Sequence, residues 1–141
     1  MLHRFSHVAV TVAATEIAGT AREELLAFYG EVFSWSENPG LSIAGKRLFL
    51  RAPSETQYIT IRSSETPMQT SGYEHLGVLM ESESDLRAVH TRAVVQSSRF
   101  PDMELSPIES KYGDALLTFR LRFRLPLTLE VQYIRQAQRG V

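Results

Sequence analysis

Two histidines and one glutamate occupy repeated positions in this chain. His7 opens His7-Val8-Ala9-Val10, and His75 opens the similar His75-Leu76-Gly77-Val78. Ile59-Thr60-Ile61-Arg62 is echoed by Leu127-Thr128-Leu129-Glu130, and both echoes are offset by 68 residues (75 − 7; 130 − 62). The shared offset predicts one supersecondary unit used twice, with His7, His75 and Glu130 at matched positions. Two imidazoles and a carboxylate form a ligand set suited to a divalent first-row metal, with coordination positions left open to water or substrate.

Local patterning supplies the elements that must carry these residues. Arg4 to Val12 alternates and is rich in Val and Phe, which reads as a strand. Ala13 to Thr20 reads as a loop, and Thr20 with Glu23 forms a capping box for the helix that follows. Leu25, Leu26, Phe28, Tyr29, Val32 and Phe33 give that helix its apolar side. Asn38-Pro39-Gly40 is turn chemistry. Leu48 to Ala52 and Tyr58 to Ser63 read as strands joined by a turn at Pro53-Ser54. The polar stretch Ser64 to Gly72, with Pro67, reads as a linker. The order then repeats, starting with a strand from Tyr73 to Met80. A helix capped by Ser82 or Ser84 runs to about Gln96, with Leu86, Val89, Ala93 and Val94 as its buried stripe. Ser97 to Pro107 is irregular with at most one short strand. Ala115 to Leu125 and Leu127 to Ile134 read as strands. The polar tail after Ile134 is expected to fray.

Strand alternation decides which side chains share a face. Val8 and Val10 pack under the helices, as do Leu76, Val78 and Met80, and Leu127, Leu129, Val131 and Tyr133. His7, Tyr73, His75 and Glu130 fall on the opposite face, together with Tyr58, Thr60 and Arg62. A slip of one residue in any strand would break this agreement.

Composition narrows the function classes. The 141 residues carry a net charge of −1, which gives no support for a nucleic-acid surface. There is no Cys, so thiolate metal sites, disulfides and a cysteine nucleophile are excluded. No apolar run is long enough to span a bilayer, and the N-terminus lacks a signal-peptide core. The expected location is cytoplasmic, and the expected partner a small-molecule substrate.

A repeated βαβββ unit with a His in the first strand of each copy resembles the vicinal oxygen chelate superfamily. That group includes glyoxalase I, fosfomycin-thiol transferases, extradiol dioxygenases and bleomycin-binding proteins. Phe28-Tyr29-Gly30-Glu31-Val32-Phe33 followed by Ser34-Trp35 looks like a helix ending common there. The resemblance implies an α+β fold of two βαβββ units, mixed sheets forming a cup and helices outside. It implies one glyoxalase-like domain over 1–141, with unit one at about 4–63, a linker at 64–72 and unit two at about 73–134. It implies a homodimer. It also implies a metal held by His7, His75 and Glu130, with iron, manganese, nickel, cobalt and zinc all eligible.

The remaining equivalent position is Arg62, where glyoxalase I enzymes usually place Glu, Gln or His. A guanidinium has no lone pair to donate, which disfavours glyoxalase I and points toward the transferase and dioxygenase patterns. Two departures stand beside the match. Ala9 replaces the usual Thr of the fosfomycin enzymes, and Phe123-Arg124-Leu125-Pro126-Leu127 replaces an Asp-Pro-x-Gly turn.

The function these features imply is a metal-dependent lyase, dioxygenase or transferase acting on a small oxygenated substrate, anionic ones included. Arg62, Tyr58, Tyr73 and Arg120 are its substrate-binding candidates, and no catalytic acid or base is assigned. Arg120, Arg122 and Arg124 alternate along one strand, either lining the site or paired with acids such as Glu104 and Glu109. Lys111 and Tyr112 lie in a loop that either closes over the site or is ordinary turn chemistry. His3 and His90 read as surface or satisfied residues, and Trp35 as core or interface. The competing class is a metal-free binding protein of the bleomycin-resistance kind, which an Arg62–Glu130 ion pair would favour. A third is a dimeric domain without chemistry of its own.

Overall fold

The computed structural model describes residues 1–54 and 56–135. The chain forms two compact units, one of Met1–Gln69 with Arg124–Pro126, the other of Thr70–Phe123 with the segment from Leu127 onward. Each carries one long helix and one mixed sheet, as the α+β reading requires. The expectation for the tail falls mostly on residues 136–141, outside the described residues.

In the first unit, β1 (His7–Val12), α1 (Gly19–Phe33), β2 (Ser36–Glu37), β3 (Arg47–Arg51) and β4 (Tyr58–Ser63) follow the predicted βαβββ order. The sheet runs β1-β4-β3-β2, with β1 parallel to β4 and the other pairs antiparallel. Alternation works as anticipated: Val10, Val12, Leu48, Leu50, Ile59 and Ile61 are buried, while His7, Ala9 and Arg62 are exposed.

The entry to α1 differs from the capping-box expectation. A short 3-10 turn, Ala14–Ile17, takes up the loop and buries Ile17 completely. The helix then starts at Gly19, with Ala18 as a cap that makes no side-chain hydrogen bond. Thr20 therefore sits inside the first turn, where its hydroxyl cannot serve as the cap. The exit is a left-handed Ser34, whose N–H donates to Gly30 O at 3.0 Å, followed by Trp35 N–H to Tyr29 O at 3.1 Å. That reversal stacks Trp35 on Phe33 and Tyr29, so Trp35 is core.

In the second unit, β5 (His75–Leu79) leads to α2 (Glu83–Arg99), then β6 (Glu104–Leu105), β7 (Glu109–Lys111), β8 (Leu116–Arg122) and β9 (Thr128–Ile134). The sheet runs β5-β9-β8-β6, with β5 parallel to β9 and β7 pairing β8. One more short strand is present than the repeat predicts, because Glu109–Lys111 pairs with Leu116–Thr118 instead of staying in a loop.

Ser82 caps α2 by accepting from Asp85 N–H at 3.0 Å, and Glu83 and Asp85 in the first turn favour the positive helix end. Leu86, Val89 and Ala93 form the buried stripe, but Val94 is 48% exposed. At about 100° per residue, position 94 has turned off the face shared by 86, 89 and 93.

Candidate metal centre

The second sheet brings His75 and Glu130 together. His75 begins β5 directly across from Thr128, and Gly77 lies directly across from Glu130. The exposed face therefore runs from His75 to the bare backbone of Gly77, beside the Glu130 carboxylate. His75 Nε2 is 2.8 Å from Glu130 Oε2. On the other side of the ring, His75 Nδ1 is 2.7 Å from the Tyr73 carbonyl oxygen. A carbonyl can only accept, so Nδ1 carries the hydrogen and Nε2 is the nitrogen offered to Glu130. A bare nitrogen lone pair would repel a carboxylate oxygen at that distance. A hydrogen shared between the two groups, or a cation held by both, would satisfy that contact.

The turn ahead of β5 holds this orientation. The Ser71 N–H and hydroxyl both donate to Glu74 Oε2, at 2.8 and 2.7 Å. Those bonds hold the Glu74 carboxyl below its ordinary range. Tyr73 was expected inside the strand, but it precedes it. Its ring is 73% exposed and meets His75 edge-on at 5.7 Å.

Glu130 is 6% exposed. Thr118, on the same face of β8, donates its hydroxyl to Glu130 Oε1 at 3.2 Å. Arg120 stands directly opposite Glu130 in the β8–β9 ladder, with Nη2 at 3.8 Å from Oε2. The other arginines of the series have separate tasks. Arg122 donates to Thr70, and Arg124 lies beyond the strand, paired with Glu24 of α1. Of the acids anticipated as their partners, Glu104 is opposite Arg122 in the ladder and Glu109 is paired with Lys111.

His7 occupies the same face of the first sheet that His75 occupies in the second. Its ring stacks on Tyr58 with centroids 4.7 Å apart and planes 1° from parallel. Tyr58 stacks in turn on Phe49 at 5.4 Å. Ser6 Oγ is 2.7 Å from His7 Nδ1. His75 and Glu130 are thus a contact within the second unit, while His7 and Tyr58 are a contact within the first. Among the described residues no group of three or more His, Asp or Glu side chains forms a ready metal cluster.

The register corrects the matching of Arg62 with Glu130. Glu130 pairs with Gly77, two residues after His75; two residues after His7 is Ala9, which pairs with Thr60. The counterpart of Glu130 is the buried Thr60, and Arg62 corresponds to Gln132. A two-residue slip preserves the face, so alternation alone could not reveal it. The other residue missed from sequence was Thr118. Its position two residues before Arg120 was the available signal, but its partner becomes visible only with the β8–β9 pairing.

No family model matches the chain, and no curated protein sequence matches it. Its fold is nevertheless that of experimentally determined glyoxalase-like proteins, as the resemblance to the vicinal oxygen chelate superfamily implied. A fosfomycin resistance protein, FosX, from Listeria monocytogenes, complexed with Mn(II) and sulfate, aligns at 14% identity with a TM-score of 0.66. The alignment covers 96% of this chain and 94% of that one. A glyoxalase/bleomycin resistance protein from Albidiferax ferrireducens aligns at 20% identity with a TM-score of 0.62, over 92% and 97%. A point mutant of the Listeria protein, complexed with Mn(II) and 1S,2S-dihydroxypropylphosphonic acid, aligns at 15% with a TM-score of 0.58, over 93% and 90%. No helix among the described residues is long and apolar enough to cross a membrane.

Proposed function

We propose that this chain is a divalent-metal-dependent enzyme of the vicinal oxygen chelate type, acting on a small, oxygenated, anionic molecule. In this reading His75 and Glu130 hold the metal and His7 supplies a third ligand. The observation that carries it is the His75–Glu130 pair, with an imidazole nitrogen and a carboxylate oxygen converging from adjacent strands at 2.8 Å. The Tyr73 carbonyl fixes the tautomer from behind, an arrangement metal-binding histidines commonly use. The Mn(II), sulfate and phosphonate held by the fold neighbours support a cation and an anionic substrate without choosing the reaction.

Iron, manganese, nickel, cobalt and zinc all accept two imidazoles and a carboxylate. When bound, such an ion polarises substrate oxygens and stabilises the oxyanion or enolate that develops. The chain's residues supply the positioning. Thr118 anchors the far oxygen of Glu130. Arg120 and Arg62 attract the anionic group, while Tyr58 and Tyr73 border the histidines and contact the substrate. A homodimer belongs to the same reading and is checked by light scattering.

One observation favours the metal-free class. The Glu130 carboxylate already has Thr118, His75 and Arg120 as partners. Metal analysis of untagged protein, purified without chelators, separates the two readings. Stoichiometric metal in the wild type, lost in His75→Ala and diminished in His7→Ala, is expected. No metal in any of the three, even after reconstitution, sinks the enzyme and leaves a small-molecule binding protein.

A further inference from the structure

The exposed face of the first sheet carries a second group of residues that the metal ligands do not use. Arg47 of β3 stands directly opposite Arg62 of β4, and Thr11 of β1 flanks Arg62 on its other side. Like charges placed directly across a ladder repel each other. Two other arginines of this unit are neutralised, Arg22 by Glu37 and Arg124 by Glu24. Among the described residues no carboxylate lies within ion-pair distance of Arg47 or Arg62.

Arg47 is nonetheless held in place. Its Nε–H donates to the Leu41 carbonyl at 2.6 Å, and its guanidinium carbon lies 5.9 Å from the Phe49 ring centroid. A positioned guanidinium facing a second one, neither with a counter-ion among the described residues, is the arrangement that receives an oxyanion through charge-assisted hydrogen bonds.

The rest of the face fits a ligand of some length. Its successive rows are His7-Tyr58-Arg51, Ala9-Thr60-Phe49 and Thr11-Arg62-Arg47. The middle row is low, with a methyl group at Ala9, a buried Thr60 and a half-buried Phe49. Four residues of strand separate His7 from Thr11, about 13 Å at ~3.3 Å per residue.

We propose that Arg47 and Arg62 form an oxyanion-binding subsite that takes the carboxylate or phosphonate end of an organic acid lying along this face toward His7. The identity of that acid as substrate rests on the enzyme reading above; anion binding by the arginine pair does not.

The test is calorimetric titration of inorganic phosphate into the full chain, stripped with chelator, at low ionic strength. Arg47→Gln and Arg62→Gln are each expected to weaken phosphate about tenfold, the scale of one lost charge-assisted hydrogen bond. Arg62→Lys should keep most of the binding, and His75→Ala and the helix variant Arg99→Gln should match the wild type. Phosphate should also raise the melting temperature of the wild type but not of Arg62→Gln, whose own melting point should equal or exceed the wild type's once repulsion is relieved. Equal phosphate affinity in wild type, Arg47→Gln and Arg62→Gln overturns the proposal, as does no binding to the wild type. Loss confined to His75→Ala also overturns it, by placing the anion at the metal centre. Arginine-dependent binding in a protein that never retains metal would leave this subsite standing while the enzyme reading fails.

Discussion

In the proposed metal site the second oxygen of Glu130 is held by a single hydroxyl, that of Thr118. Thr118→Val keeps the shape of the side chain but leaves Glu130 Oε1 buried without its donor. The expected stability loss is about 1–3 kcal/mol, and the expected loss of metal affinity is roughly ten- to a hundredfold. Chemical denaturation and metal titration measure the two effects separately. Tyr73→Ala is the contrasting case, since Tyr73 orients His75 through its backbone carbonyl and its ring is exposed. It should bind metal within a few-fold of wild type and lose no more than about 0.5 kcal/mol. His75 and Glu130 were legible from sequence because alternation alone assigns a face. Thr118 was not, because its role depends on which strands are neighbours. Arg62 was matched to Glu130 for a related reason: a repeat offset counted along the chain differs from ladder register by two residues, and an even slip leaves every side chain on its expected side.

The two helices separate propensity from actual capping. Ser82 accepts the Asp85 N–H, so Ser82→Ala should cost about 1 kcal/mol. Thr20 resembles a cap in sequence but lies one residue inside α1, so Thr20→Ala should be near neutral. Both are read from thermal melts. Glu83, in the first turn of α2, adds a pH dependence. Hydrogen bonds from Arg135 and then Arg87 hold its carboxyl below the ordinary 4.5. The folded chain therefore binds this proton more weakly than the unfolded chain does. Its stabilisation is complete above the ordinary value and fades as pH falls through the lowered one. Amide exchange in the first turn of α2 should quicken over that window in the wild type and show no such step in Glu83→Gln. Helix existence and capping at α2 were legible because one apolar period persists through Leu86, Val89 and Ala93. The start of α1 was not, because burial of Ile17 in a 3-10 turn decided it, and a tertiary contact of that kind leaves no local signature.

On the scale of the molecule, the chain does not divide cleanly at its linker. Arg124, Leu125 and Pro126 join β8 to β9 in sequence, yet they belong with the first unit. Arg124 adopts a left-handed φ of 57° and pairs with Glu24 of α1, and Leu125 is buried. The sequence marked this segment as unusual through Leu125-Pro126, in place of the polar turn common to similar folds. Local patterning could not say what the turn was for, because its partner lies 100 residues away. The chain path from β8 to β9 therefore runs through residues grouped with the first unit, and cooperativity is the expected outcome. Leu125→Ala should therefore cost about 2–5 kcal/mol. Hydrogen exchange should show α1, β8 and β9 losing protection together, within one unfolding transition. Were the units thermodynamically independent, only α1 and its sheet would lose protection, and a second transition would remain for β8 and β9 at its original midpoint.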